Sequence, residues 1–389
     1  MRAIYLDHNA TSPLRHEARE AMARVLTGPA GNPSSLHASG RAARMTIETA
    51  REQVARLIGA LPEEIVLTSG GTESNNLAIY GAAASLPSAA GRVVTSAFEH
   101  PSVLAPMEDL QRRGMEVVRV TPTRAGVVET GAVLQAAAPG SRFVSLMLAN
   151  NEVGTLQPVA EIGEALRRRA VLFHSDAAQA AGKVPIDVRE LGVDLLSIAG
   201  HKFGAPLGTG ALYVRRGVAL RPHLRGGGQE LNRRPGTENV AAIAGLGAAA
   251  AAASQGIADE SRRAQELRGR LERAVLERVP GARVNGGEAP RVPNTSSLAI
   301  AGAAGEVLVM ALDLEGISVS SGSACSAGTV RRSHVLEAMG LGEASGSSIR
   351  VSLGPGTTID EVEAFVCVLE RVVDRVRASA SGVAQGRRA

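Results

Sequence analysis

Forty-two basic side chains occur in this chain, yet only Lys183 and Lys202 are lysine. An amine can shed its proton and attack a carbonyl; a guanidinium in practice cannot. Lys202 follows the apolar run Leu195-Leu196-Ser197-Ile198-Ala199 and the pair Gly200-His201. That order describes a buried strand delivering an amine to a pocket mouth, the placement of a Schiff-base lysine. A solvated loop lysine that escaped the compositional bias is the plain alternative.

Other segments carry further candidate chemistry. Thr68-Ser69-Gly70-Gly71-Thr72-Glu73 joins a strand-like run to a helical one. Small residues there let the backbone approach an anion, and the helix start offers free N–H groups, so a phosphate is expected. An ordinary Gly-rich turn with a Thr cap reads the same way. Asp176, in His174-Ser175-Asp176-Ala177-Ala178-Gln179, follows Val171-Leu172-Phe173. A carboxylate at a strand's carboxyl end faces the ligand crevice of an open sheet, where it can pair with a protonated pyridine nitrogen. Gln179 is then within reach of a ring oxygen; an N-capping Asp is the structural alternative. His100, in Phe98-Glu99-His100-Pro101, suits stacking on a planar ring or proton shuttling, though such a His is more often structural.

Cys325 lies in Ser320-Ser321-Gly322-Ser323-Ala324-Cys325-Ser326-Ala327-Gly328, a run of small residues that buries little. Mobility is expected there, and an exposed thiol on such an arm suits a travelling nucleophile; an inert surface loop is the alternative. Cys367 falls beside the apolar stripe of the last helix and reads as a packing residue. Arg350, on a short strand, can grip a substrate carboxylate or merely form a surface ion pair. Gly226-Gly227-Gly228-Gln229-Glu230 and Arg234-Pro235-Gly236-Thr237-Glu238-Asn239 form a loop that can reach a phosphate, including one held by a second subunit.

Strand-like and helix-like runs alternate between residues 16 and 260. The strands are expected at Glu64–Thr68, Arg92–Thr95, Phe143–Leu148, Val171–Phe173, Leu195–Ile198 and Gly210–Val214, with a helix over Gly40–Ile58. Continuous apolar strands imply a mostly parallel, doubly wound α/β sheet covered on both faces. Beyond 260 the texture becomes α+β. The expected division is an N-terminal arm (1–15), a large domain (16–260), a smaller domain with the cysteine loop (261–378) and a frayed tail (379–389).

Aromatic residues make up only 2% of the 389 residues, so the core is aliphatic. A net charge of +4 without dense basic blocks argues against nucleic-acid binding. Two cysteines without a CxxC pair disfavour a disulfide framework or structural zinc. The apolar run Val240–Ala253 is too short to span a bilayer and reads as a buried helix. No secretory leader is evident, so a cytoplasmic location without membrane association is expected.

Taken in order, these strings resemble the cysteine desulfurases, a branch of the class V aminotransferases that use pyridoxal phosphate. The likeness runs from Tyr5-Leu6-Asp7 to about Gly354. It includes Asn32-Pro33-Ser34-Ser35-Leu36-His37, Glu99-His100-Pro101-Ser102-Val103 and Ala149-Asn150-Asn151-Glu152-Val153-Gly154-Thr155, besides the segments above. The resemblance implies a fold-type-I enzyme with Lys202 bonded to the cofactor, Asp176 at the pyridine nitrogen, Gln179 at the phenolic oxygen and His100 on the ring. It implies that Gly71, Thr72 and His201 bind the phosphate, with Thr237 reaching in from the other subunit of a homodimer, and that Ala199 and Gly200 also border the cofactor. Asn151, Asn32 and Arg350 would line the substrate end, and Cys325 would accept sulfur from L-cysteine as a persulfide, leaving alanine. The small-residue loop is similar to that of the branch serving iron–sulfur assembly, which implies a sulfur-acceptor protein and a possible metal contact at Cys325. Ala199 stands where a Ser is common, Leu207 where a Lys is, Ser175 where an apolar residue is, Leu231-Asn232 for Arg-Gly and Arg331-Arg332 for Glu-Pro; these departures bear on phosphate contacts and partner choice. A selenocysteine lyase that ignores Cys325 and a non-catalytic adaptor are the competing readings.

Overall fold

The computed structural model describes residues 3–85, 91–321 and 332–386, those from 380 onward by backbone alone. Seven strands form the main sheet in the order Ile65–Thr68, Gly210–Val214, Leu195–Ala199, Leu172–Asp176, Ser141–Ser145, Arg92–Ser96 and Glu116–Val120. All contacts are parallel except those of Gly210–Val214, which runs antiparallel to both neighbours. The expected doubly wound α/β architecture is present. Leu195–Ala199 and Gly210–Val214 are buried throughout, which is why they read as unbroken apolar runs.

The strand Glu116–Val120 is absent from the sequence reading. It is an edge strand whose Glu116 and Arg119 are exposed, so its pattern is diluted by polar residues. Two boundaries also shift. The strand expected over Phe143–Leu148 is Ser141–Ser145, and that expected over Val171–Phe173 runs through Asp176, carrying the carboxylate on the strand itself.

A helix over Ala38–Leu57 buries Ile47, Ala50, Val54 and Leu57 at helical spacing. It crosses the helix Val240–Arg278 so closely that a Cβ on Gly247 would lie 2.6 Å from the Ala50 Cβ. The latter helix runs for 39 residues. The division expected at 260 falls inside it: Leu246, Ala249, Ala250 and Ala253 join the core of the main sheet, whereas Leu267, Leu271 and Val275 join a separate apolar cluster. By length and composition this helix could cross a membrane, but its apolar stretch is buried in the protein, as expected for Val240–Ala253.

The second cluster belongs to the antiparallel strands Ala282–Asn285, Thr295–Ile300 and Ser348–Ser352, backed by the helix Ile359–Gly386. That helix continues past Ser379, where the sequence reads as a frayed tail. The N-terminal strand Ile4–Tyr5 pairs in parallel with Ile317–Ser318, and Leu6 enters the same cluster. Cys367 is not a packing residue. It is exposed, two positions from Phe365 and Leu369 and therefore turned away from the stripe, and its Sγ accepts a hydrogen bond from Arg278 at 3.4 Å.

The loop at 226–239 is fastened rather than free. Glu230, Leu231 and Asn232 take left-handed φ values of 49°, 56° and 63°. Glu230 is buried and receives two hydrogen bonds from Arg51, at 2.7 and 2.8 Å, and one from the Leu67 N–H at 2.8 Å. Arg234 pairs with Glu73 at 2.8 Å.

Candidate active site

The carboxyl ends of the parallel strands open into a cavity of about 770 Å³. Leu195–Ala199 ends at its floor, and one tight turn, Gly200–Lys202, turns the lysine into it. The Lys202 Nζ donates to the carbonyl oxygens of Asn9 (2.6 Å) and Ala10 (2.9 Å). Burial, reinforced by Arg350, pushes its pKa down to about 8, with Asp176 and Asp7 pulling the other way.

Asp176 ends the neighbouring strand, opposite Ser197. Its Oδ2 accepts from Asn75 Nδ2 at 2.7 Å and its Oδ1 from the Ala178 N–H at 2.9 Å. The carboxylate is thus aimed and held by a helix side chain and its own following turn. Gln179 also lines the cavity; its Nε2 donates to the Asn9 carbonyl at 3.0 Å.

At one end of the cavity the helix Gly71–Ala83 begins, leaving its first N–H groups without intrahelical partners. Gly70, at φ 151°, makes the turn that points them inward. A Cβ added to Gly71 would lie 3.1 Å from the Ala199 Cβ, so glycine keeps this end open. His201 joins Thr72 here, its buried Nδ1 without a partner. Burial and the two lysines push its pKa to about 4, so it is neutral.

His100 caps the helix Pro101–Arg112. Its Nδ1 accepts from the Ser102 N–H at 3.1 Å, which places the proton of the neutral ring on Nε2. Burial lowers its pKa, with Asp176 opposing and Lys202 and His334 assisting. On another wall Arg350 donates to Asp7 Oδ1 at 2.8 Å and the Asn151 carbonyl at 2.9 Å. Its buried Nε and the Asn151 Oδ1 are left without partners.

Gly71, Thr72, His100, Asn151, Asp176, Gln179, Ala199, His201, Lys202 and Arg350 therefore converge, with Gly200 buried beside them. Asn32 and Thr237 do not. Both are exposed and lie outside the cavity lining, and the Asn32 Oδ1 accepts from the Ser34 N–H at 2.9 Å instead. Cys325, as nucleophile or metal contact, lies outside the described residues, as does Arg331. Sequence reasoning passed over Asn9, Asn75, Ser102 and His334, which also line the cavity. Asn75 had a legible signal, one helical turn beyond Thr72; Asn9 and His334 arrive from distant segments without one. Lys202 also borders a smaller cavity, about 390 Å³, whose lining includes His8, Arg15, Lys183 and Glu260 but none of Asp176, His100 or Thr72.

The residues fit pyridoxal phosphate. An open helix start and the unpartnered His201 Nδ1 suit a phosphate, the fixed Asp176 carboxylate suits a protonated ring nitrogen, and the Lys202 amine suits an aldehyde. Comparison with known proteins agrees. The family model for aminotransferase class-V matches residues 4–365. A "Cysteine desulfurase" of Cereibacter sphaeroides is 46% identical over 97% of both chains. "Cysteine desulfurase IscS" of Dictyoglomus turgidum is 44% identical over 97% of this chain and 96% of its own. A solved structure described as a NifS-like protein superposes with a TM-score of 0.90 at 34% identity, covering 96% of this chain and 99% of that one. With the family model, the sequence relatives and the superposed structure each covering almost the whole chain, the chain belongs to the class-V aminotransferase family.

Proposed function

We propose that this protein is a cysteine desulfurase, removing sulfur from L-cysteine with Cys325 as acceptor. The observation that carries the reading is the meeting of a buried amine with a lowered pKa, a fixed carboxylate and an open helix start in one cavity. Pyridoxal phosphate, when bound, supplies an aldehyde for that amine and a ring that takes up an electron pair. Gly71, Thr72 and His201 would hold its phosphate, Asp176 its ring nitrogen, Gln179 its ring oxygen, and His100 would lie on its face.

With a pKa near 8, Lys202 can accept a proton from the substrate Cα and return one to carbon. Arg350, braced by Asp7, would meet the substrate carboxylate, and the unpartnered Asn151 Oδ1 would accept from its amino group. The Cys325 thiolate then forms a bond to the substrate sulfur as the carbon–sulfur bond breaks. Carbon keeps that electron pair and gains a proton, so alanine leaves and Cys325 carries a persulfide. The similarity to "Cysteine desulfurase IscS" favours an iron–sulfur scaffold as recipient. A cytoplasmic homodimer is part of the reading: Thr237, exposed in one chain, would reach the phosphate of a second.

Cys325→Ala tests this. It should keep the yellow colour of the cofactor-loaded protein and lose both alanine formation from cysteine and the persulfide detected by mass. Unchanged sulfide release with intact colour would show that Cys325 is not the acceptor.

A further inference from the structure

Both lysines of the chain meet at one buried residue, Asn9. Lys202 donates to the Asn9 carbonyl at 2.6 Å; Lys183 donates to the Asn9 Oδ1 at 2.8 Å. The second hydrogen bond of Lys183 goes to Gln179 Oε1 at 2.7 Å, four residues earlier in the chain. Lys183 is buried, and among the described residues it makes no ion pair with a carboxylate. Its two partners are both amide oxygens. Asn9 is itself fixed, its Nδ2 donating to Thr295 Oγ1 at 2.8 Å and its N–H to Ser352 Oγ at 2.9 Å.

This network decides which way the Gln179 amide faces. Charged or neutral, Lys183 presents N–H to Gln179, so an oxygen must face it. The other neighbour, the Asn9 carbonyl, accepts only, so a nitrogen must face that. A flipped amide would set donor against donor on one side and oxygen against oxygen on the other. One Gln179 N–H goes to Asn9 at 3.0 Å, which leaves the second for a group in the cavity that Gln179 lines.

We propose that Lys183 is a positioning residue: by holding the Gln179 oxygen away from the cavity, it guarantees that a nitrogen donor faces the anionic ring oxygen of the bound cofactor. This rests on the cofactor reading above and deepens it. The lowered pKa of Lys183, caused first by burial and then by Lys202 and Arg350, is compatible with either of its protonation states in this role.

The test is a pH titration of the visible absorption band of cofactor-loaded protein. A donor at the ring oxygen favours the proton-free, anionic chromophore, so its loss should raise the midpoint, by about one pH unit. Lys183→Met and Gln179→Ala should raise it equally, and the double variant by no more than either. Ethylamine added to Lys183→Ala, whose vacated space adjoins the smaller cavity, should restore the wild-type midpoint; this variant also serves if Lys183→Met does not fold. An unchanged midpoint in the Lys183 variants would overturn the proposal, as would a Lys183→Met shift that persists undiminished on the Gln179→Ala background, since bare charge would then be the cause. Wild-type protein that takes up pyridoxal phosphate without any visible band would instead sink the cofactor reading itself.

Discussion

The lowered pKa of Lys202 has a consequence that can be read before any turnover. In water the amine titrates near 10.5; in the cavity it titrates at about 8. That difference corresponds to roughly 3 kcal/mol favouring the neutral form, at about 1.36 kcal/mol per unit. At pH 7 it multiplies the neutral, nucleophilic fraction roughly 300-fold. The rate at which cofactor-free protein captures pyridoxal phosphate, followed by growth of the visible band under limiting aldehyde, should therefore rise about tenfold per pH unit up to pH 8 and then level off. His201, neutral above about 4, should not contribute in that range. Arg350→Met removes the second cause of the depression, so the plateau should move to higher pH. Should the wild-type rate keep climbing with a midpoint near 10, the pocket does not perturb this amine and the electrostatic reasoning fails.

Arg51→Met would strand the buried Glu230 carboxylate without its two-pronged partner, at a cost of about 3–5 kcal/mol; a drop in the urea midpoint at pH 7 measures it, and an unchanged midpoint contradicts the assigned role. Glu99 is fully buried with Oε2 unpartnered, and burial lifts its pKa to about 8. Folded protein thus holds a proton that unfolded protein gives up from about pH 4.5 upward, so this residue's stabilising contribution fades as pH rises to 8. Glu99→Gln should accordingly raise the melting temperature relative to wild type more at pH 8 than at pH 5. Gly71→Ala should fold normally but hold the cofactor less tightly, by about tenfold, because its methyl would press on Ala199 at the phosphate end; equilibrium dialysis reads the loss.

Residues that ride on strand ends were legible in the sequence. Lys202 and Asp176 each close a buried apolar run, and the periodicity of such runs announces where the ligand crevice must open. Thr72 and Gly71 were visible for a similar reason, through the strand-to-helix turn. Asn9 was not legible. Its importance comes from meeting Lys183, Lys202, Thr295 and Asn294, which lie far along the chain and are brought together only by tertiary packing. The expected role of Cys367 failed because helical phase, rather than neighbourhood in the sequence, decides which side chains pack. The two roles that need a second chain or the segment 322–331, those of Thr237 and Cys325, rest on sequence reasoning alone.

The helix Val240–Arg278 is a single beam seated in two separate beds of aliphatic side chains. Adding one residue between those beds would turn everything downstream by about 100° and push it about 1.5 Å along the axis. Leu267, Leu271 and Val275 would swing out of their bed while Leu246 and Ala250 stayed in theirs. Length variation in this protein should therefore collect in surface connections and be excluded from residues 254–266. A library of single-codon insertions scored for folded protein would show that gap directly.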